Sequence, residues 1–208
     1  MIPEQWDYET DVVIVGGGGA GLAAAVEASS TGARVLVLEA CPQLGGTTGM
    51  AVGSFTAAGT KYQRAAGIAD DPAWHAEDIV KFAPPQHEAR NNAVLRGLLA
   101  REAAKTQEWL EGLGLEFQGP KPESHNRVSR MHNVIPNGKA YVEALQARAL
   151  SQGVEIRTGR RVTRLYRQER VVGVGAGGWK VQATRGVILA AGSPDATRLT
   201  CDELFWRA

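Results

Sequence analysis

Four consecutive glycines, Gly16 to Gly19, stand between the apolar run Val12 to Val15 and an alanine-rich segment, and no other feature narrows the fold as far. A run of four β-branched residues reads as a short strand buried on both faces, as in a parallel sheet. Gly19 through Ser30 are small and helix-compatible, Gly32 punctuates, and Val35 to Leu38 repeats the buried-strand pattern. This is a βαβ unit. Gly16, Gly18 and Gly21 at its first turn satisfy GxGxxG. One glycine serves the tight turn, one the close approach of backbone to a pyrophosphate, and one the packing of helix on strand. The helix N-terminus adds unpaired N–H groups and a positive dipole end. Glu39 follows Gly21 by 18 residues, where a carboxylate accepts ribose hydroxyl protons. A purely structural glycine turn has no need of strand, turn, helix, strand and acid in that order. An acid at position 39 disfavours a 2′-phosphate and leaves NAD or FAD.

Composition bounds the partners. Of the 208 residues, 23 are Lys or Arg and 22 are Asp or Glu, so no global field favours nucleic acid or an anionic membrane. A small-molecule partner is expected. Hydrophobic content of 44% supports a substantial core and one large domain over 1–208. Cys41 and Cys201 fall in no CxxC or zinc spacing, which argues against a disulfide framework or metal site and for a reducing compartment. The acidic N-terminus lacks a signal peptide's basic region, and Val12 to Val26 is too short for a membrane span of about 20 residues. A cytoplasmic location is expected.

Residues 40–60, ACPQLGGTTGMAVGSFTAAGT, place Gly45 and Gly46 directly after the acid, then Thr47 and Thr48, then Gly53 and Ser54. Here the chain resembles the fumarate reductase and succinate dehydrogenase flavoprotein family, which includes 3-ketosteroid dehydrogenases. The likeness runs from Asp11 to Gly192 through LLAREAAKTQEWLEGLGLEF, GKAYVEALQARALSQGVEIRTGRRVTRL and VILAAG. It implies an α/β fold: a Rossmann-like FAD-binding domain with parallel sheet, flanking helices and a small antiparallel β-meander. It also implies roles. Gly16 and Gly18 would shape the turn, Gly19, Ala20 and Gly21 would meet the FAD pyrophosphate, and Glu39 with Ala40 the adenosine ribose. Gly45, Gly46, Thr47 and Thr48 would lie along the ribityl chain and flavin, Gly53 and Ser54 would back the isoalloxazine, and the Val162 backbone would meet the adenine. Ala190, Ala191 and Gly192 match a turn returning to the cofactor, where the family has Thr and a second Gly. Helix N-capping is the competing role for Thr47 and Thr48. Covalently flavinylated members carry a histidine near the position of Thr47. No His occurs between residues 40 and 60, so noncovalent FAD is expected.

The middle of the chain reads as scaffold. Val94, Leu95, Leu98, Leu99, Trp109, Leu110 and Leu113 form one helical stripe facing a core, and Tyr141, Leu145 and Ala149 another. VEIRTG and the alternating segment after Arg161 suggest the meander, ahead of a buried strand at Val187 to Ala190. The polar loop 120–138 carries His125, Arg127, Arg130 and His132, which read either as an anion or substrate contact or as a solvated connection. His75 and His87 read as surface residues. Six arginines from Arg157 to Arg170 alternate with apolar residues, as on a solvated sheet face. The resemblance implies hydride transfer between flavin and an activated C–C bond of a dicarboxylate or ketosteroid-like substrate. The family's clamp domain and its flavin-completing C-terminal segment are not encoded in these residues, so no proton-transfer residue is identified; Tyr62, Arg127, Arg130 and His132 are the reserve candidates. A non-catalytic flavin-binding fragment and an NAD-dependent dehydrogenase are the alternatives, and the GGTTG segment disfavours the second.

Overall fold

The computed structural model describes residues 2–192. Leu199, Leu204, Phe205 and Trp206, whose spacing in the sequence reads as one helical stripe, lie outside the described residues. Along the chain run β1 (Tyr8–Val15), α1 (Gly19–Ser30), β2 (Val35–Leu38), α2 (Gly46–Met50), β3 (Ser54–Thr56), α3 (Lys61–Ala65), α4 (Pro72–Ile79) and α5 (Ala93–Gly112). There follow β4 (Phe117–Lys121), β5 (Met131–Val134), α6 (Lys139–Ser151), β6 (Glu155–Arg157), β7 (Val162–Arg167), β8 (Val171–Ala176) and β9 (Trp179–Leu189). The chain divides into two compact units, one of Met1–Met50 with Tyr141–Ala208 and one of Ala51–Ala140.

The first unit is built on a six-stranded sheet in the order β6-β2-β1-β9-β8-β7. β6, β2, β1 and β9 are parallel, and β9, β8 and β7 form the antiparallel meander. The expected fold class holds. Val13, Ile14, Leu36 and Val37 lose all exposure, each contributing about 1.5–3 kcal/mol. α1 buries Gly21, Leu22, Ala25 and Val26, small residues that let it lie close to the sheet.

Several local expectations are corrected. Glu155–Arg157 is not part of the meander; it pairs with β2 in parallel, because it follows α6 and a helical crossover returns the chain in the same direction. β9 runs unbroken for 11 residues, so the strand at 187–190 is the end of the meander's third strand, and Leu189 is 64% exposed.

The second unit holds a three-stranded antiparallel sheet, β3-β5-β4, and the packed pair α4 and α5. α5 forms where expected, but its buried face is Ala100, Ala103, Gln107 and Leu110. Leu95 is 61% exposed and Leu99 56%. The small face packs inward while Val94, Leu95, Leu98 and Leu99 point out, so the N-terminal half of the stripe does not face the core, and Leu110 does. No helix among the described residues is long and apolar enough to cross a membrane.

Candidate functional site

The three fingerprint glycines differ in what surrounds them. Gly16 ends the turn after β1 with φ +108°, and a Cβ there would lie 2.4 Å from the Ala190 carbonyl oxygen. A Cβ on Gly21 would lie 1.9 Å from the Gly16 carbonyl oxygen, so α1 touches the turn directly. Gly18 is the N-cap of α1 in ordinary extended conformation, with no side-chain cap. A Cβ there would meet nothing nearer than the Gly45 carbonyl oxygen at 3.7 Å. Two glycines are therefore filled by the protein itself, while the third leaves open space beside first-turn amides that have no intrahelical partner.

Around that space the backbone is tied by side chains distant in sequence. Gly17 N–H donates to Glu39 Oε2 at 2.6 Å, and Cys41 N–H to Glu39 Oε1 at 2.7 Å. Gly45 N–H donates to the Gly17 carbonyl at 2.9 Å, within an isolated parallel bridge between Gly18 and Gly45. Gly45 and Gly46 have φ of +122° and +48°, which favour glycine in this turn. Thr47 and Thr48 lie inside α2 and do not cap it. Thr48 Oγ1 instead accepts from Gly19 N–H at 3.2 Å, serving the first turn of α1 from another element.

Ala40 follows Glu39, and the turn before β7 runs beside both: Arg160 N–H donates to the Glu39 carbonyl at 2.7 Å, and Gly159 N–H to the Cys41 carbonyl at 3.0 Å. Val162 then opens β7. Ala190 N–H donates to the Val15 carbonyl at 2.8 Å, with Ala191 and Gly192 next and exposed. The residues expected in the first unit thus gather at the C-terminal ends of β1, β2, β6 and β9, the edge at which open α/β sheets bind ligands. Gly17, Cys41 and Arg160 join them. The sequence carried no sign of these three, because they take part through their backbone amides.

Gly53 and Ser54 belong to the second unit. Gly53 has φ +100°, with Val134 Cγ1 placed 2.5 Å from any added Cβ, and Ser54 Oγ donates to Asn133 Oδ1 at 2.9 Å. The charged candidates of this unit are engaged elsewhere. Arg130 is fully buried, with Nη2 2.6 Å from Asp70 and Nη1 2.8 Å from Asp78. Burial opposes ionisation of both aspartates, yet their hydrogen bonds outweigh it and hold each carboxyl below the usual range: Asp70 from Arg130 and Gln63, Asp78 from Lys81, Arg127 and Arg130. Arg127 pairs with Glu77 and Asp78. Neither arginine is free for an anion. His132 is buried, with Nε2 3.1 Å from Thr60 Oγ1, and burial lowers its pKa. Tyr62 donates to Glu111 at 2.6 Å, and burial with that bond pushes its pKa up to about 12. His75 is buried, not at the surface as expected, because α4 packs on α5; His87 and His125 are exposed.

The sequence profile of the FAD binding domain family matches residues 11–204. A fumarate reductase (cytochrome) of Shewanella frigidimarina is 30% identical over 194 residues, covering 88% of this chain and 33% of the relative. The open conformation of a flavocytochrome c3 fumarate reductase superposes with a TM-score of 0.81 at 30% identity, over 88% of this chain and 34% of that one. The 3-ketosteroid-Δ4-(5α)-dehydrogenase of Rhodococcus jostii, in complex with 4-androstene-3,17-dione, gives a TM-score of 0.78 at 28% identity, over 91% of this chain and 47% of that one. The chain spans about a third of the length of the curated relatives it matches. With glycine turns gathered at the carboxyl edge of its parallel sheet and this match over nearly all its length, the chain belongs to the FAD-binding domain family of the fumarate reductase-like flavoproteins, and its cofactor is FAD.

Proposed function

We propose that this chain is the cofactor-holding part of an oxidoreductase that transfers hydride between flavin and an activated C–C bond, and that the cradle of the first unit grips the FAD through its adenosine diphosphate half. The open space at Gly18 carries the reading, since it is the one fingerprint position that the protein does not fill. The amides of Ala20 and Gly21 would face the pyrophosphate, joined by that of Gly19 on its release from Thr48, with Gly16 setting the turn. Glu39 would take the ribose hydroxyls, because each carboxylate oxygen that now accepts one amide retains a second lone pair. The Val162 backbone would lie along the adenine. Gly45, Gly46, Thr47 and Thr48 would follow the ribityl chain, and Ala190, Ala191 and Gly192 would border the cradle. The roles of Gly53 and Ser54 beside the ring rest on the resemblance alone.

Bound noncovalently, FAD supplies hydride transfer at its ring. This chain's own residues bind and orient it. The substrate is a small molecule with a polarised C–C bond, of the dicarboxylate or ketosteroid-like kinds.

Titration of the purified chain with FAD, read by absorbance and tryptophan quenching, tests the binding role. Charge-assisted hydrogen bonds contribute about 1.5–3 kcal/mol. Glu39→Ala should therefore raise the FAD Kd by at least about tenfold, while NAD produces no saturable signal with either protein. Unchanged FAD affinity in that variant would remove Glu39 from the site, and tight NAD binding would replace the flavin reading. Turnover of reduced flavin with fumarate or a ketosteroid tests the reaction, and a holoprotein inert towards both would leave a flavin-binding module without catalysis.

A further inference from the structure

The second unit contains a cavity of about 740 Å³, and of the residues assigned to the cofactor only Ser54 lies in its wall. Its walls come from β3, α4 and α5, with Phe55, Ile79, Phe82, Leu95, Leu98 and Leu99 supplying apolar surface. The volume lies within the roughly 300–1,000 Å³ typical of small-ligand sites, which combine apolar walls with a few polar groups. These leucines are part of the α5 stripe expected to lie in the core, and they are exposed instead.

The charge of the lining decides what the cavity can accept. Glu102 and Glu123 contribute to it, and among the described residues no Lys or Arg does. The nearby cations are committed: Arg130 to Asp70 and Asp78, Arg127 to Glu77 and Asp78, and Lys81 to Asp78. A dicarboxylate entering this space would lose hydration, meet two glutamates and find no free guanidinium or ammonium among the described residues.

Of the polar groups in the lining, Ser54 is bonded to Asn133, Thr106 to the Glu102 carbonyl and Asn126 to Glu123 and Arg130, whereas His75 keeps a nitrogen unpartnered among the described residues. It lines the cavity, is 1% exposed, and its Nδ1 makes no hydrogen bond to any described residue. Burial holds the imidazole neutral at physiological pH, with one ring nitrogen as donor and the other as acceptor.

We infer that this cavity is a binding site for a neutral, largely apolar ring compound bearing a single hydroxyl or carbonyl oxygen, with the oxygen turned to His75 and the rings against Phe55, Phe82 and the α5 leucines. The inference does not rest on the cofactor reading, because every residue it uses lies in the second unit and its test is read without FAD.

Naphthol, naphthalene and fumarate, titrated separately into the full 208-residue chain, provide the test. Naphthol should bind saturably, fumarate should neither bind nor displace it, and naphthalene should bind more weakly than naphthol. Leu98→Glu places a charge on the exposed apolar wall and should weaken naphthol about tenfold or more without unfolding the chain. His75→Phe, checked for folding by circular dichroism, should remove the preference for naphthol over naphthalene. Absent naphthol saturation, displacement by fumarate, or full affinity in Leu98→Glu would each overturn the inference. So would a dimer of the wild-type chain that Leu98→Glu converts to monomer, because the face would then belong to a second copy.

Discussion

An added methyl group separates two glycines that the fingerprint treats alike. At Gly21 it would sit 1.9 Å from a backbone carbonyl that cannot move without displacing the turn, whereas at Gly18 the nearest atom is 3.7 Å away. Gly18 also has φ −79° and ψ −177°, a conformation open to alanine. Gly21→Ala should thus destabilise the cofactor-free chain by about 1–3 kcal/mol or more, as overpacking does. Gly18→Ala should leave thermal unfolding of that form nearly unchanged and weaken FAD, because its methyl enters the space proposed for the pyrophosphate. Melting curves of the two variants with and without FAD check this, and equal loss of melting temperature in both would contradict it. The same contrast shows what was legible here. The motif identified the positions, but only the surroundings of each Cβ tell which glycine serves packing and which leaves room.

Elements are locked together by groups whose spacing carries no local signal. Arg130, next to β5, is joined to Asp70 just before α4 and to Asp78 within α4, residues 60 and 52 positions away. Read as a loop, segment 120–138 offered Arg130 and His132 as substrate contacts, and pairing across that distance turned them into buried structure. Arg130→Met takes the ion pair from buried Asp70 and leaves Asp78 to Lys81 and Arg127, and should cost about 3–5 kcal/mol, with part recovered when Asp70→Asn is added and further recovery with Asp78→Asn. Urea unfolding of the single and triple variants measures it. The element also sets a pH dependence. His75 has its pKa lowered from 6.5 to about 4 in the folded chain, first by burial and then by Arg130. Between those values the unfolded chain holds the proton and the folded one does not, so stability is complete above pH 6.5 and falls towards pH 4. Asp70 and Asp78 have depressed values, so their contribution is present above the unfolded value of 3.8 and is lost as pH falls below it. Urea unfolding at pH 7 and pH 5 should show the first loss in the wild type and little of it in His75→Phe; an equal pH 7 to 5 loss in that variant would assign the dependence to other groups.

For the whole molecule, precipitating the FAD-loaded chain with acid should release all of its flavin, because no histidine stands between residues 40 and 60 to form a covalent link. Yellow colour retained in the washed pellet would show a link elsewhere. The sequence by itself determined the βαβ start, the glycine turn with its acid, and through them the cofactor class. Those signals sit within about 30 residues, and backbone sterics, a buried parallel strand and a helix N-terminus impose them whatever the rest of the chain does. Helix α6, with Tyr141, Leu145 and Ala149 buried, was legible for a similar reason: its apolar period matches its buried face. Tertiary structure alone decided the parallel pairing of Glu155–Arg157 with β2, the burial of Arg130 and His75, the outward leucines of α5, and Thr48 serving α1 rather than its own helix. In each case the outcome depends on which distant element packs against the residue, since burial and charge compensation are properties of a neighbourhood, and these neighbourhoods are assembled from segments tens of residues apart.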